Sequence, residues 1–358
     1  MIDLSKISSR INYCTILTTG RTGSDYLQAC LDGVPGVLSI GGKFLFYTDF
    51  CKEIGSFENH NPNKILDLFI TKNPSLFGTD YIENKNLKID IDKLKKNYSI
   101  IVNEKSINRK NFLISLYLSY HLTLDRSIED LKIMVHHSHS VEETEKFLKD
   151  FKNSKILITV RDPRANLKSG LVNWIDYDSK RANQKHLYLY LRRVRDDLVY
   201  SQAQTNEKFY VKLEEANEIS TKEKLVDFLG VRYSPEIMKA TFASKIWGGD
   251  KLSKFHSKAG AYNNSVKNNE WENFFTTKDK IILNFLYKDY EIFNYKIGNT
   301  NLLKKILIFL IIPIPFSFEK KLNFKYFSGN FFYYLKRVIY LYSVLFNLYN
   351  LIYENKTK

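Results

Sequence analysis

Two segments of this 358-residue chain place a tight loop between an apolar strand and the start of a helix, and nothing else in the sequence limits the fold as strongly. The first runs from Cys14-Thr15-Ile16-Leu17 into Thr18-Thr19-Gly20-Arg21-Thr22-Gly23-Ser24-Asp25-Tyr26-Leu27. The second is Ile156-Leu157-Ile158-Thr159-Val160-Arg161-Asp162-Pro163-Arg164-Ala165-Asn166-Leu167-Lys168-Ser169. Each turns backbone N–H groups and a helix N-terminus toward one point, the arrangement that binds an anion. Two such loops can hold the two phosphorylated ends of one nucleotide.

The remaining pattern agrees. Apolar runs at 14–18, 100–103, 131–136, 156–160 and 208–213 alternate with helical stretches at 111–124, 140–151 and 185–202. Such alternation predicts an α/β fold with a mostly parallel sheet and helices on both faces. Ligands in such folds sit beyond the carboxyl ends of the strands, where both loops and a later histidine cluster fall. The length allows one catalytic domain, 1–300, and an α-rich C-terminal appendage, 301–358. No internal repeat or low-complexity segment is present.

In the first loop Gly20 and Gly23 permit a sharp turn and a close approach of backbone to phosphate. Arg21 adds a fixed cation, and Thr22 and Ser24 add hydroxyls. A nucleotide-hydrolysing loop needs a Lys after its second glycine; here Ser24-Asp25 follows, which disfavours ATP or GTP chemistry. Alone, the loop also reads as an ordinary strand–turn–helix joint. In the second segment Arg161 ends a strand of apolar and β-branched residues, and its planar fork suits phosphate. Pro163 fits an early helical position, and Arg164 reads as a solvated residue at the helix start.

The two loops in this order resemble those of sulfotransferases that use 3′-phosphoadenosine 5′-phosphosulfate (PAPS). The resemblance implies a P-loop NTPase-like three-layer sandwich. It implies that Gly20–Tyr26 binds the 5′-phosphosulfate, and that Arg161 and Ser169 grip the 3′-phosphate. Arg21 stands where cytosolic members carry a Lys, and Tyr26 where they carry a Trp stacked on adenine. Asp25 departs from the usual hydroxyl residue, and a carboxylate there must point away from a polyanion or be neutralised.

Sulfuryl transfer needs a base for the acceptor hydroxyl and a cation for the leaving phosphate. Ile133-Met134-Val135-His136-His137-Ser138-His139 precedes a capping box, Ser140-x-x-Glu143, so the histidines close a strand before a helix. From His137 to Ser169 the register matches cytosolic sulfotransferases without a gap. The resemblance therefore puts His139 on the catalytic base and His137 on the lysine that supports the bridging oxygen. Lys105, within Asn103-Glu104-Lys105-Ser106, resembles an element of glycan-acting members and competes for the cationic role. Those members carry a Glu where this chain has Gly42, which favours the histidine route. His136 and Glu104 are the next candidates for the base. The three histidines could also ligate a metal, but no further ligand at a recognisable spacing accompanies them; no metal is expected.

Weaker matches follow in order, so that the resemblance runs from Tyr13 to Tyr295. Tyr210, in Phe209-Tyr210-Val211-Lys212-Leu213, stands for a tyrosine near adenine. Ser220-x-x-Glu223 opens a helix ending at Phe228-Leu229-Gly230. Trp271 marks a late segment, and Lys258 and Lys267 are candidate phosphate clamps. Individually, each is also explained by local packing.

Cys14, Cys30 and Cys51 form no paired framework, which suits a reducing compartment. The polar start Met1–Asn12 carries no signal-peptide pattern. A cytoplasmic protein is therefore expected, peripheral on the cytoplasmic face of a membrane. Net charge is +15. Residues 302–358 hold Lys304, Lys305, Lys320, Lys321, Lys325, Lys336, Arg337, Lys356 and Lys358 against Glu319 and Glu354, amid dense Phe, Tyr, Leu and Ile. That composition suits an anionic membrane surface or a helical lid. No nucleic-acid motif accompanies the charge. The expected activity is transfer of a sulfuryl group from PAPS to a hydroxyl of a glycan or lipid-linked saccharide, releasing 3′,5′-ADP without metal. The alternatives are a P-loop small-molecule kinase and a non-catalytic nucleotide-binding membrane scaffold of the same fold.

Overall fold

A computed structural model of the chain describes residues 3–18, 20–42, 44–78, 89–102, 105–178, 180–249, 262–268, 270–298, 301–322 and 327–348. These fall into two compact units. The first comprises 1–160 with 204–265, and the second 161–203 with 266–358.

The first unit is built on five strands: β1 Asn12–Thr18, β2 Val37–Ser39, β3 Ile133–Ser138, β4 Lys155–Val160 and β5 Lys208–Lys212. They lie in the order β2-β3-β1-β4-β5, and every pairing is parallel. Parallel strands are covered on both faces and so read as continuous apolar runs, and Cys14 through Thr18 are all buried. Among the helices of this unit are α1 Ser24–Leu31, α2 Ile91–Ile101, α3 Arg109–Thr123, α4 Val141–Asp150 and a later one, Ile219–Leu229. Because side chains alternate along a strand, Cys14, Ile16, Ile133, Val135, Leu157 and Val211 share one core with Leu27 and Leu31 of α1 and Leu225 and Leu229 of the last helix. Met134 faces the other way, into a core with Phe112 and Leu116 of α3 and Phe147 of α4. The result is the expected α/β layering of helix, parallel sheet and helix. Chain order reverses direction beside β1, which makes the carboxyl end of β1 the switch point where such folds bind ligands.

Three expectations change. The strand expected at 100–103 is not present over its described residues, since Ile100 and Ile101 end α2 and Val102 caps it. Leu94, Tyr98 and Ile101 recur at helical spacing and are buried, Ile100 is 46% exposed, and the Asp90 side chain caps the start. A short apolar run cannot be told from a buried helix by periodicity. The helix expected to open at Ser220 starts at Ile219, one residue after its N-cap position at Glu218, and ends at left-handed Gly230. The box at Ser140 is only half a box. The Ser140 hydroxyl accepts from Glu143 N, but the buried Glu143 carboxylate accepts from the Tyr47 and Thr48 N–H groups at 2.7 and 2.8 Å, fixing the wide helical turn Phe46–Phe50. Burial alone would raise the Glu143 pKa; the His136 ring 3.8 Å away and the hydrogen bonds from Tyr47 and Thr48 overcome it and hold the group below its ordinary value.

The second unit is helical. It contains α5 Pro163–Tyr177, α6 Gln184–Ala203, α7 Thr277–Leu286, α8 Leu302–Ile311 and α9 Phe327–Leu345. Arg164 is not a solvated surface residue. It is 3% exposed, pairs with Asp162 at 2.7 Å, donates to Asn284 Oδ1 and the Lys296 carbonyl, and stacks on Trp271. Arg337 and Glu319 meet at 3.3 Å in the interior, and Gln184 of α6 donates to the same Glu319. These two tail charges therefore do not face solvent. On α8 only Ile308 is buried, whereas Leu302, Leu303, Ile306, Leu307, Phe309 and Leu310 are exposed. Among the described residues no helix is long and apolar enough to cross a membrane.

Candidate active site

The loop after β1 is made by its backbone conformation and a set of hydroxyls. Gly20, Arg21 and Gly23 all have positive φ, at 81°, 55° and 78°, the left-handed region that glycine enters most easily. At Gly23 there is no choice, because a Cβ would lie 2.2 Å from Leu213 Cδ1. A chain of hydroxyls then braces the turn. Thr22 Oγ1 lies 2.7 Å from both Thr18 Oγ1 and Thr159 Oγ1, and Gly20 N–H donates to Thr18 Oγ1. Thr22 is 2% exposed. Its hydroxyl thus ties the loop to β4, and what it can present outward is main chain. Ser24 and Asp25 open α1, with the Asp25 side chain 47% exposed.

Across the sheet, β3 runs beside β1 with His136 opposite Thr15 and His137 opposite Ile16. The pleat sends the two histidines to opposite faces. His136 is fully buried, 3.0 Å from the Tyr117 hydroxyl through Nδ1 and stacked on Phe147, so it is a core residue. His137 lies on the face of Asp25. Its Nδ1 is 3.1 Å from Gln28 Oε1 and 3.7 Å from Asp25 Oδ1. Gln28 Nε2 donates to the Ile40 carbonyl at 2.6 Å, which fixes its amide and leaves its oxygen toward His137. His137 therefore carries a proton on Nδ1. His139, two residues on and partly exposed, brings its ring centroid to 4.0 Å from that of His137. Asp25, His137 and His139 each place one ligand-capable atom within 4.8 Å of the others. Asp25, expected to point away from a polyanion or be neutralised, has His137 Nδ1 at this 3.7 Å distance.

Tyr26 is 6% exposed, donates to Asn217 Oδ1 at 2.8 Å, and packs on Tyr262 and under the buried Lys222 ammonium. Its ring faces protein on these sides. Lys105 is exposed, and no described contact joins it to His137 or His139. Asn103, Glu104 and Lys258 lie outside the described residues. Gly42 has φ 99°, where a side chain would be strained, and a Cβ there would lie 2.9 Å from Leu76 Cδ2. Tyr210 is half-buried on β5 beside Ile158. Arg161 immediately follows β4 and Ser169 lies within α5, both in the second unit. Lys267 is exposed in that unit.

Sequence reasoning missed Gln28 and Thr159. Both are ordinary residues in a helix and a strand, and only the fold reveals what they touch. The companion of the two histidines, Asp25, was visible as a departure from the family pattern but not as their neighbour.

No protein-family model matches the chain, and no curated protein matches it. Several solved structures do. A sulfotransferase domain from the curacin biosynthetic pathway is 14% identical, with a TM-score of 0.45 over 75% of this chain and 92% of that one. A sulfotransferase domain from the Synechococcus PCC 7002 olefin synthase is 15% identical, with a TM-score of 0.46 over 80% and 96%. Sulfotransferase STF9 from Mycobacterium avium is 14% identical, with a TM-score of 0.36 over 65% and 68%. These likenesses are loose, and the functional reading rests on the loop and the histidines themselves.

Proposed function

We propose that the chain is a sulfotransferase that moves a sulfuryl group from PAPS to an acceptor hydroxyl and releases 3′,5′-ADP. The observation that carries this is the meeting of the left-handed Gly20–Gly23 loop with the His137–His139 pair at the carboxyl ends of β1 and β3. An anion cradle and a proton acceptor side by side are what the reaction requires.

In this reading the main chain of Gly20–Ser24, the Ser24 hydroxyl and Arg21 hold the 5′-phosphosulfate. Arg161 and Ser169 take the 3′-phosphate, in keeping with the register they share with His139. His139 accepts the acceptor proton as the acceptor oxygen bonds to sulfur. The bond from sulfur to the bridging oxygen breaks, and the electron pair stays on the departing phosphate. His137 supports that oxygen through Nε2–H while Gln28 and Asp25 hold its Nδ1–H. The Asp25 carboxylate 3.7 Å from His137 Nδ1 favours His137 for the cationic role over the exposed Lys105.

The acceptor in this reading is a glycan or lipid-linked saccharide met at an anionic membrane surface. The exposed Leu302, Leu303, Ile306 and Leu310 of α8, flanked by Lys304 and Lys305, support that part. Incubation with labelled PAPS and a panel of hydroxyl acceptors tests the proposal. Product and 3′,5′-ADP should appear together. A protein that binds 3′,5′-ADP yet sulfates nothing in the panel would favour the scaffold alternative, and phosphate transfer from ATP would favour the kinase.

A further inference from the structure

We propose that Asp25, His137 and His139 form a binding site for a late first-row divalent cation of the zinc class. The sequence offered only histidines, whose spacing lacked a companion ligand. The fold supplies it. Asp25, from the start of α1, places a carboxylate within 4.8 Å of a nitrogen from each of the two imidazoles. Two imidazoles and one carboxylate with an open position for water are a ligand set that such ions accept.

Two further features favour the site. His137 and His139 are separated by one residue at the end of β3, so they leave the sheet on one face, and their centroids lie 4.0 Å apart. His137 is also already oriented as a ligand. Its Nδ1–H points at Gln28 Oε1, itself fixed by the Ile40 carbonyl, so a shift of the Asp25 carboxylate from Nδ1, now 3.7 Å away, toward Nε2 would complete the set. A hydrogen bond from the distal ring N–H to a fixed acceptor is the usual outer-shell support of a ligating histidine. Asp25 and His139 are partly exposed, so both can adjust to a common centre and an ion can reach them. Hard cations such as Mg²⁺ prefer oxygen donors and several retained waters, so the imidazole pair selects against them.

The consequence rests on the proposed sulfotransferase reading. A bound ion would occupy the lone pair with which His139 accepts the acceptor proton, and would displace the Nε2 proton of His137. Metal and sulfuryl transfer would then be mutually exclusive, and the ion would be an inhibitor.

Cobalt(II) titration of untagged full-length protein, followed by visible absorbance, tests the site without any substrate. One equivalent should give the ligand-field bands of a low-coordinate N/O site, and zinc(II) should bleach them. Asp25→Asn and His139→Ala, checked for unaltered thermal melting in metal-free buffer, should each weaken binding by roughly 10-fold or more. Absence of stoichiometric cobalt binding, or unchanged binding in both variants, would overturn the site. Stabilisation by 3′,5′-ADP is measured separately on the metal-free protein, so failure of the nucleotide reading would show there and not in the cobalt titration.

Discussion

His136 and His137 are neighbours in sequence, and the pleat assigns them different chemistry. His136 is locked among Phe44, Tyr117 and Phe147, whereas His137 meets Gln28, Asp25 and His139. If His139 is the base, His139→Ala should lower turnover by roughly 10²–10⁴ while stabilisation by 3′,5′-ADP stays near wild type. Near-normal turnover would place the base elsewhere. A fourth imidazole gives a pH prediction. His121 of α3 is buried, with Nε2 3.0 Å from the Ser127 carbonyl, and burial pushes its pKa down from 6.5 to about 4. The unfolded chain therefore takes up this proton first as the solution is acidified. Its contribution is complete above about pH 6.5 and is lost as the pH falls to about 4. His121→Gln, which keeps an N–H donor, should flatten the wild-type loss of denaturation midpoint between pH 7 and 4.5; parallel curves for both proteins would contradict this.

At the level of elements, the loop after β1 was legible because its glycines are forced. Left-handed backbone at Gly23 and the nearby Leu213 leave no room for a side chain. Gly23→Ala should cost about 1–2 kcal/mol from the backbone alone, more from the contact with Leu213, and should abolish nucleotide stabilisation before it abolishes folding. Thermal melts with and without 3′,5′-ADP read both effects. The same element shows where sequence reading stops. Thr22 looked like a phosphate ligand, yet its hydroxyl is taken by Thr18 and Thr159, and no local pattern announces a partner 137 residues away. The strand β2 escaped notice because three residues carry no period. The run at 100–103 misled for the opposite reason, since its apolar residues end a helix whose buried face is spaced by three and four.

For the whole molecule, the alternation of apolar strands and helices predicted the layered sheet and placed the loop at its switch point. What it could not predict was the fate of the tail. The basic count suggested a charged surface, but Arg337 and Glu319 neutralise one another inside the second unit, and α9 packs on α6 through Tyr340 and Asp196. Deleting the tail would therefore strip a buried face. Two point changes are the better probe of membrane docking. Leu303→Asp with Leu310→Asp, both at exposed positions of α8, should leave melting within about 0.5 kcal/mol of wild type and release the protein from anionic vesicles. Retention equal to wild type would end the membrane proposal.

The central claim is that this fold holds a nucleotide phosphorylated at both ends, and it can be tested without knowing the acceptor. Thermal unfolding is followed with saturating 3′,5′-ADP and, separately, 5′-AMP, for wild type and Arg161→Ala. Ligand at a hundred times its dissociation constant stabilises by about 2.7 kcal/mol. A shift of that order is expected with 3′,5′-ADP, a far smaller one with 5′-AMP, and loss of the difference in Arg161→Ala. Equal shifts for the two nucleotides in the wild-type protein would contradict it.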